Sequence, residues 1–276
     1  LCKTLQPNAV TFGDGGTWVR WVGNELGVAA EKNWATTKSD VVRFPGDAGA
    51  DTGLGAEAAG CVLMDALQHG SPEGDVWCQA EVDVSIRPGW FYHEEEDGAV
   101  RSVANLVELY LTSVGRNAPL LLNVPPDRDG RFAEPDVAAL AGFGQALRTV
   151  FGEDQFADAR VKTPEDFARD EGLKAKAIDD HHGTMARSKL EFALPTKRTV
   201  SFLKLEEPIE YGQHIAGYNV FVKNAAGRWE WLVSGRTIGL CRIHRLSVPV
   251  ALDAVRIEFW SAHPGVPGWV SAVSAY

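Results

Sequence analysis

The apolar residues of this chain change period part-way along it, and that change restricts what it can fold into. Val100, Val103, Val107, Tyr110, Leu111 and Val114 recur at helical spacing, with the acidic run Glu94–Asp97 ahead of them and Gly115 behind as a stop signal. Leu120–Val124 then runs apolar without alternation, as a strand covered on both faces does in a parallel sheet, and Pro125–Pro126 ends it. A second helix is expected from about Pro135, a residue suited to a first helical position, to Val150. Upstream, LCKTLQP reads as a helix end, AVTF as a strand closed by the turn residues Gly13–Gly16, and Val76–Ile86 as a further short strand. After Phe151 the composition shifts. From Lys189 onward the period is two: Leu190/Phe192/Leu194, Val200/Phe202, Tyr218/Val220/Val222, Trp229/Trp231 and Val255/Ile257/Phe259. Asn224–Gly227 supplies a hairpin turn between two of these strands. Strand, loop, helix, strand, helix is the grammar of a βα barrel, and a series of short alternating strands closes most naturally as an antiparallel β-sandwich. The boundary is expected between 152 and 165.

Composition narrows the function classes. The net charge of −10 argues against a phosphate-backbone partner, which needs clustered Lys and Arg, so no nucleic acid is expected. No run of about 18 apolar residues occurs, so no membrane span is expected. The N-terminus also lacks the charged-then-apolar layout of a signal peptide. Cys2, Cys61, Cys78 and Cys241 are scattered, with no His at zinc-ligand spacing, and both a Cys61–Cys78 bridge and separate thiols remain open. Asp179-Asp180-His181-His182 matches no standard metal spacing, and Asp47 and Asp51 lack the order of a calcium loop, so neither metal nor cofactor is expected. Residues 40–75, rich in Gly, Ala and Asp, read as a long loop.

Among residues able to do chemistry, Glu25 stands out. It follows an apolar strand and a Gly turn and is flanked by Trp18 and Trp21, so a ring could lower its local dielectric and raise its pKa; a solvated loop glutamate is the plainer alternative. Glu81, Asp83 and His93 surround a second strand end. They could hydrogen-bond a ligand, although ion pairs Arg87–Asp83 and Arg101–Glu96 would account for the same residues. Asn117 and Asn123 flank the next strand and are expected to cap turns.

Three strings carry a resemblance: DVSIRPGWF at Asp83–Phe91, SVGRNAPLLLNVPPD at Ser113–Asp127 and VRWVGNE at Val19–Glu25. Together they resemble the last third of the catalytic domain of the α-L-fucosidases of glycoside hydrolase family twenty-nine, and VRWVGNE resembles the branch acting on α-1,3- and α-1,4-linked fucose. LEEPIEYGQ at Leu205–Gln213, TIGLCR at Thr237–Arg242 and the closing VSAVSAY resemble, more loosely, the galactose-binding-like sandwich that ends many of these enzymes. Two departures stand in that sandwich: Thr184-Met185-Ala186 replaces the family's Thr-Tyr-Trp, and Leu240-Cys241 its Tyr-Lys.

The resemblance implies an α/β plus all-β fold: the C-terminal portion of a (β/α)8-like barrel over 1–155, then an antiparallel β-sandwich over 156–276. It implies a retaining exo-glycosidase that releases fucose from Lewis-type glycans, with Glu25 as general acid/base and Arg20, Trp21, Trp90, Glu81 and His93 in the fucose pocket; a structural ion pair for Arg20 and a place in the core for Trp90 are the alternatives. It also implies a nucleophilic Asp in a Trp-Phe-Asp-Gly string. That string is absent here, Asp14 and Asp83 do not match its position, and the nucleophile is therefore expected upstream, on an N-terminal half of the same enzyme. Fucosylated oligosaccharides are the implied partners, and a secreted or periplasmic location follows by family analogy. The competing expectation is a non-catalytic fucose- or glycan-binding protein.

Overall fold

The structure, a computed structural model, describes residues 2–12, 19–39, 64–157, 187–266 and 268–276. A short helix, α1 (Cys2–Leu5), precedes β1 (Val19–Trp21). β2 (Thr36–Thr37) pairs antiparallel with β3 (Val76–Trp77), and between them residues 64–69 form a helix, α2. This corrects the expectation of a loop throughout 40–75: Leu67 of α2 is buried, and an apolar anchor of that kind favours regular structure. β4 (Gln79–Ser85), α3 (Val103–Thr112), β5 (Leu120–Asn123) and α4 (Glu134–Val150) complete the first half.

Strands β1, β4 and β5 lie side by side in that order, each parallel to its neighbour. Parallel strands need a crossover, and α3 supplies it between β4 and β5. Ser102 starts α3 by accepting the Asn105 N–H at 3.2 Å. Glu134 and Asp136 place negative charge in the first turn of α4, where the helix dipole favours it. Pro135 lies in that turn too, one residue later than expected.

The alternation of β4 decides what each face does. Ala80, Val82 and Val84 point one way and are at most 1% exposed, packed against Val22 and Ala29 and against Leu106 and Leu109 of α3. Gln79, Glu81, Asp83 and Ser85 therefore take the other face. β5 behaves in the same way. Leu120 and Leu122 join the helix-side core while Leu121 is 50% exposed, so the strand is not covered on both faces as its unbroken apolar run suggested.

Among the described residues the second half forms a five-stranded antiparallel sheet, which fits the β-sandwich expected there. β6 (Arg187–Glu206), β7 (Ile215–Lys223), β8 (Trp229–Gly235), β9 (Arg242–Ser261) and β10 (Ala272–Ala275) run in the order β10-β6-β9-β7-β8. The strands expected at Leu190–Leu194 and Val200–Phe202 are one strand whose register shifts between Ala193 and Arg198, a bulge that bends it without ending it. The hairpin turn falls where expected: Asn224 N–H reaches the Arg228 carbonyl at 2.9 Å, and Gly227 takes φ +75°, a conformation favouring glycine. Val200, Leu203, Leu205, Ile215, Val220, Ile257 and Phe259 form the core under this sheet. Among the described residues no helix is long and apolar enough to cross a membrane.

Buried polar groups join the two halves. Asn33 N–H donates to Thr237 Oγ1 at 2.9 Å, Gln213 Nε2 to the Asn33 carbonyl at 3.0 Å, and Leu240 N–H to Asn117 Oδ1 at 2.8 Å. Asn117 has φ +62° and lies against Gly239, where a Cβ would stand 2.2 Å from its side chain; only glycine fits there. The Asn117 side chain thus bonds to distant segments, not within its own turn as expected, and ties the halves together.

One buried pair in the antiparallel sheet sets a pH response. The Tyr218 hydroxyl and His244 Nε2 share a hydrogen bond across 2.5 Å, and burial, with the Arg242 charge second, lowers the His244 pKa from 6.5 to about 4. The folded pKa lies below the unfolded one, so this stability is complete above pH 6.5 and is lost as pH falls toward 4, by up to about 3 kcal/mol. Urea unfolding should show a midpoint that drops with acid over this window, and His244→Gln should flatten the drop. The same slope in both proteins would remove His244 from the explanation.

Candidate active site

Beyond the C-terminal ends of β1, β4 and β5 the chain collects a polar cluster. β1 ends at Trp21, and Gly23 turns the chain at φ +83°. Asn24 closes the turn: Oδ1 accepts the Leu26 N–H at 3.0 Å, and Nδ2 donates to the Val28 carbonyl at 3.1 Å. This turn presents Glu25, exposed, with Oε2 accepting the Trp90 Nε1–H at 3.1 Å. Trp90 is itself 36% exposed. Asn123, at the end of β5, donates from Nδ2 to the Trp90 carbonyl at 3.1 Å and to Ser85 Oγ, at the end of β4, at 3.0 Å. Three strand ends are thereby linked by side chains.

On the polar face of β4, Asp83 Oδ1 accepts the Trp21 Nε1–H at 2.8 Å. Glu81 lies opposite Trp21 in the parallel register and shares that face. Burial, and secondarily the neighbouring Asp83 charge, raises the Glu81 pKa above the ordinary carboxylate value. Chemically, the cluster offers an exposed carboxylate oriented by an indole N–H, an exposed aromatic ring beside it, and two more carboxylates on the strand face behind.

Arg20 corrects an expectation. Its side chain does not line this cluster: the residue is 0% exposed, and its guanidinium donates to the carbonyls of Leu67, Cys78 and Trp34 and to Asn33 Oδ1. Adjacent strand residues point to opposite faces, so Trp21 and Arg20 cannot both reach the polar face of the sheet. Burial lowers the Arg20 pKa to about 10, and its role here is structural. His93 is exposed, with its ring 4.0 Å from Glu95. The expected Arg87–Asp83 and Arg101–Glu96 pairs are replaced. Arg87 pairs with Asp136 at 3.0 Å and Asp97 at 2.8 Å, and Arg101 donates to the Ser85 carbonyl at 2.7 Å and to Asn105 Oδ1 at 2.8 Å.

Asn123 and Ser85 belong to the cluster without having been expected in it. Asn123 was expected to cap a turn, and only the strand register reveals its partners. Asp14, Trp18, Asp47, Asp51, Cys61, Asp179–His182 and Thr184–Ala186 lie outside the described residues. Among the described residues no three His, Cys, Asp or Glu gather as a metal site.

Residues 51–153 match the family model described as alpha-L-fucosidase, a span that holds both DVSIRPGWF and SVGRNAPLLLNVPPD. Over this span the chain is similar to alpha-L-fucosidases. Alpha-L-fucosidase 1 of Arabidopsis thaliana is 34% identical over 280 residues, covering 94% of this chain and 51% of the relative. The crystal structure of SpGH29 superposes with a TM-score of 0.76 at 29% identity, over 100% of this chain and 57% of that one. A Ruminococcus gnavus GH29 fucosidase in complex with fucose gives a TM-score of 0.72 at 25% identity, over 97% of this chain and 52% of that one. The chain spans about half the length of the curated relatives it matches. Those relatives and the family are glycoside hydrolases, and the resemblance read from the three strings holds at the level of the alpha-L-fucosidase family.

Proposed function

We propose that this chain contributes the C-terminal part of a (β/α)8-like catalytic barrel, residues 1–155, and a β-sandwich, residues 156–276, to a retaining exo-α-L-fucosidase. Its substrates are α-1,3- and α-1,4-fucosylated oligosaccharides of the Lewis type. Supporting that boundary, Phe156 packs into the core of the antiparallel sheet and Gln155 N–H donates to the Ala275 carbonyl at 2.8 Å.

The observation that carries the reading is the Trp90–Glu25 contact. Two of the three strings come together, across 65 residues of chain, as an exposed carboxylate and an exposed ring. In the mechanism Glu25 protonates the departing glycosidic oxygen and then, as base, activates the water that releases the sugar. The nucleophile is an Asp preceding residue 1 in the whole protein, held roughly 5–5.5 Å from Glu25 as retention requires. Trp90 offers its face to the apolar side of fucose, including the C6 methyl. Of the other expected contacts, Glu81 is supported by its place on the Trp21 face and His93 only by its position after Trp90. A secreted or periplasmic location accords with the family.

The test uses the whole enzyme with a Lewis-type trisaccharide and an α-1,2-fucosylated one, followed by proton NMR. The α-anomer of free fucose should appear first, and only from the Lewis-type substrate. A β-anomer first would exclude retention, and equal release from both would exclude the linkage preference. Fucose binding with no release would turn the reading toward a non-catalytic glycan-binding protein.

A further inference from the structure

A second polar and aromatic cavity lies away from Glu25, on the antiparallel sheet. It has a volume of about 420 Å³ and is walled by Trp260, Tyr218, Asn219, Ser234, Arg236 and Glu31. Glu31 accepts from Arg116 and Arg242, each at 2.8 Å, and Arg116 lies in the turn that enters β5 at its N-terminal end. Glu25 and Trp90 sit at the opposite, C-terminal end of the same strands, so the two places are separate.

The cavity has a built floor. Trp260 stands opposite Gly217 in the β7–β9 register, and a Cβ at Gly217 would come within 2.2 Å of the Trp260 ring; the ring packs against the strand there because the glycine leaves room for it. Beside the ring, Ser234 donates to Asn219 Oδ1 at 2.6 Å and accepts the Trp231 Nε1–H at 2.7 Å. That bond fixes the Asn219 amide and leaves its Nδ2 donor, like the Arg236 guanidinium, without a partner among the described residues. On the other wall Glu31 is held in place by its two arginines and brings carboxylate oxygens to the rim. A flat ring, open amide and guanidinium donors and a fixed carboxylate form one ligand chemistry: an apolar C–H face on the ring and hydroxyls at its edge.

We propose that this cavity binds a pyranose residue of a glycan, as a saccharide site independent of the Glu25 cluster. A single sugar has few atoms, so affinity for a monosaccharide is on the order of millimolar, rising when several sugars or sites act together. The site would hold a branched glycan at a point remote from the bond being cut.

The experiment is titration of the ¹⁵N-labelled whole enzyme with D-galactose, N-acetyl-D-glucosamine and L-fucose, following the assigned indole N–H signals. At least one sugar should move the Trp260 signal in a saturable way, with the shift weakened at least fivefold by Arg236→Ala and by Asn219→Ala, on the order expected for losing one hydrogen bond to a ligand. Both variants change partly exposed side chains, so folding is retained; Trp260→Ala, which empties the space over Gly217, serves only as a third variant. No movement of Trp260 with any of the three sugars, or movement unchanged in both variants, would overturn the proposal and leave the Glu25 reading untouched.

Discussion

Replacing Glu25 with Gln in the whole enzyme should lower turnover of a Lewis-type oligosaccharide by about 10²–10⁴-fold, the contribution typical of a positioned general acid. The loss should depend on the leaving group. A sugar alcohol departs only if its oxygen is protonated, whereas an aryl fucoside with an acidic phenol departs unaided, so kcat/KM for the aryl substrate should change little. Its kcat should still fall, because the second step then lacks the base that activates water. Added azide, which attacks without a base, should restore that step and yield fucosyl azide. An equal loss on both substrates, with no azide effect, would show that Glu25 only positions Trp90, whose Nε1–H it accepts at 3.1 Å.

The largest stability effect is expected at Arg87. Its side chain is 0% exposed and so is that of Asp136; the Arg87 Nε–H meets both carboxylate oxygens at 3.1 and 3.0 Å, and its Nη2 reaches Asp97 at 2.8 Å. Arg87→Met would leave Asp136 buried and uncompensated, a loss of about 3–5 kcal/mol, whereas the double change Arg87→Met with Asp136→Leu removes both charges and should recover most of it. Chemical unfolding of the three proteins distinguishes this from a surface pair. A cost below about 1 kcal/mol for the single change would place the pair in that weaker class. Arg87 also donates from Nη1 to the His93 carbonyl at 3.1 Å, so the Pro88–Tyr92 turn that carries Trp90 is fastened at both ends by one guanidinium.

The sheets were legible because period and turn chemistry are local properties. Asn224–Gly227 and the helix from Ser102 needed nothing beyond their own neighbours. The site was legible only where a motif named it: Glu25 and Trp90 came from their strings, and the structure puts them in contact. What lay beyond reach was set by register and by distant partners. Asn123 finds Ser85 because β4 and β5 pair Ser85 with Asn123, a fact no single segment contains. Arg87 finds Asp136 from α4, 49 residues on, where sequence proximity favoured Asp83. Arg20 is different, since the sequence held the answer: once VRW is read as a strand, period two forbids Arg20 and Trp21 from sharing a face. Leu121 misled for the opposite reason, since an unbroken apolar run does not reveal which face is covered.

The Asn117 junction bears on how such a protein can be inherited. Its side chain is held by the Leu240 N–H and by the backbone of Asn33, it crowds a position only glycine can fill, and Gln213 and Thr237 complete the same network. A recombination event that exchanged the antiparallel sheet for a foreign one would sever the bonds to Leu240, Gln213 and Thr237 and leave polar groups of Asn33 and Asn117 unpaired in a dry interior. The sheet therefore cannot be traded like a tethered module. The two halves are expected to pass together through duplication and loss, with substitutions at Asn117 and Gly239 tolerated only as a matched pair.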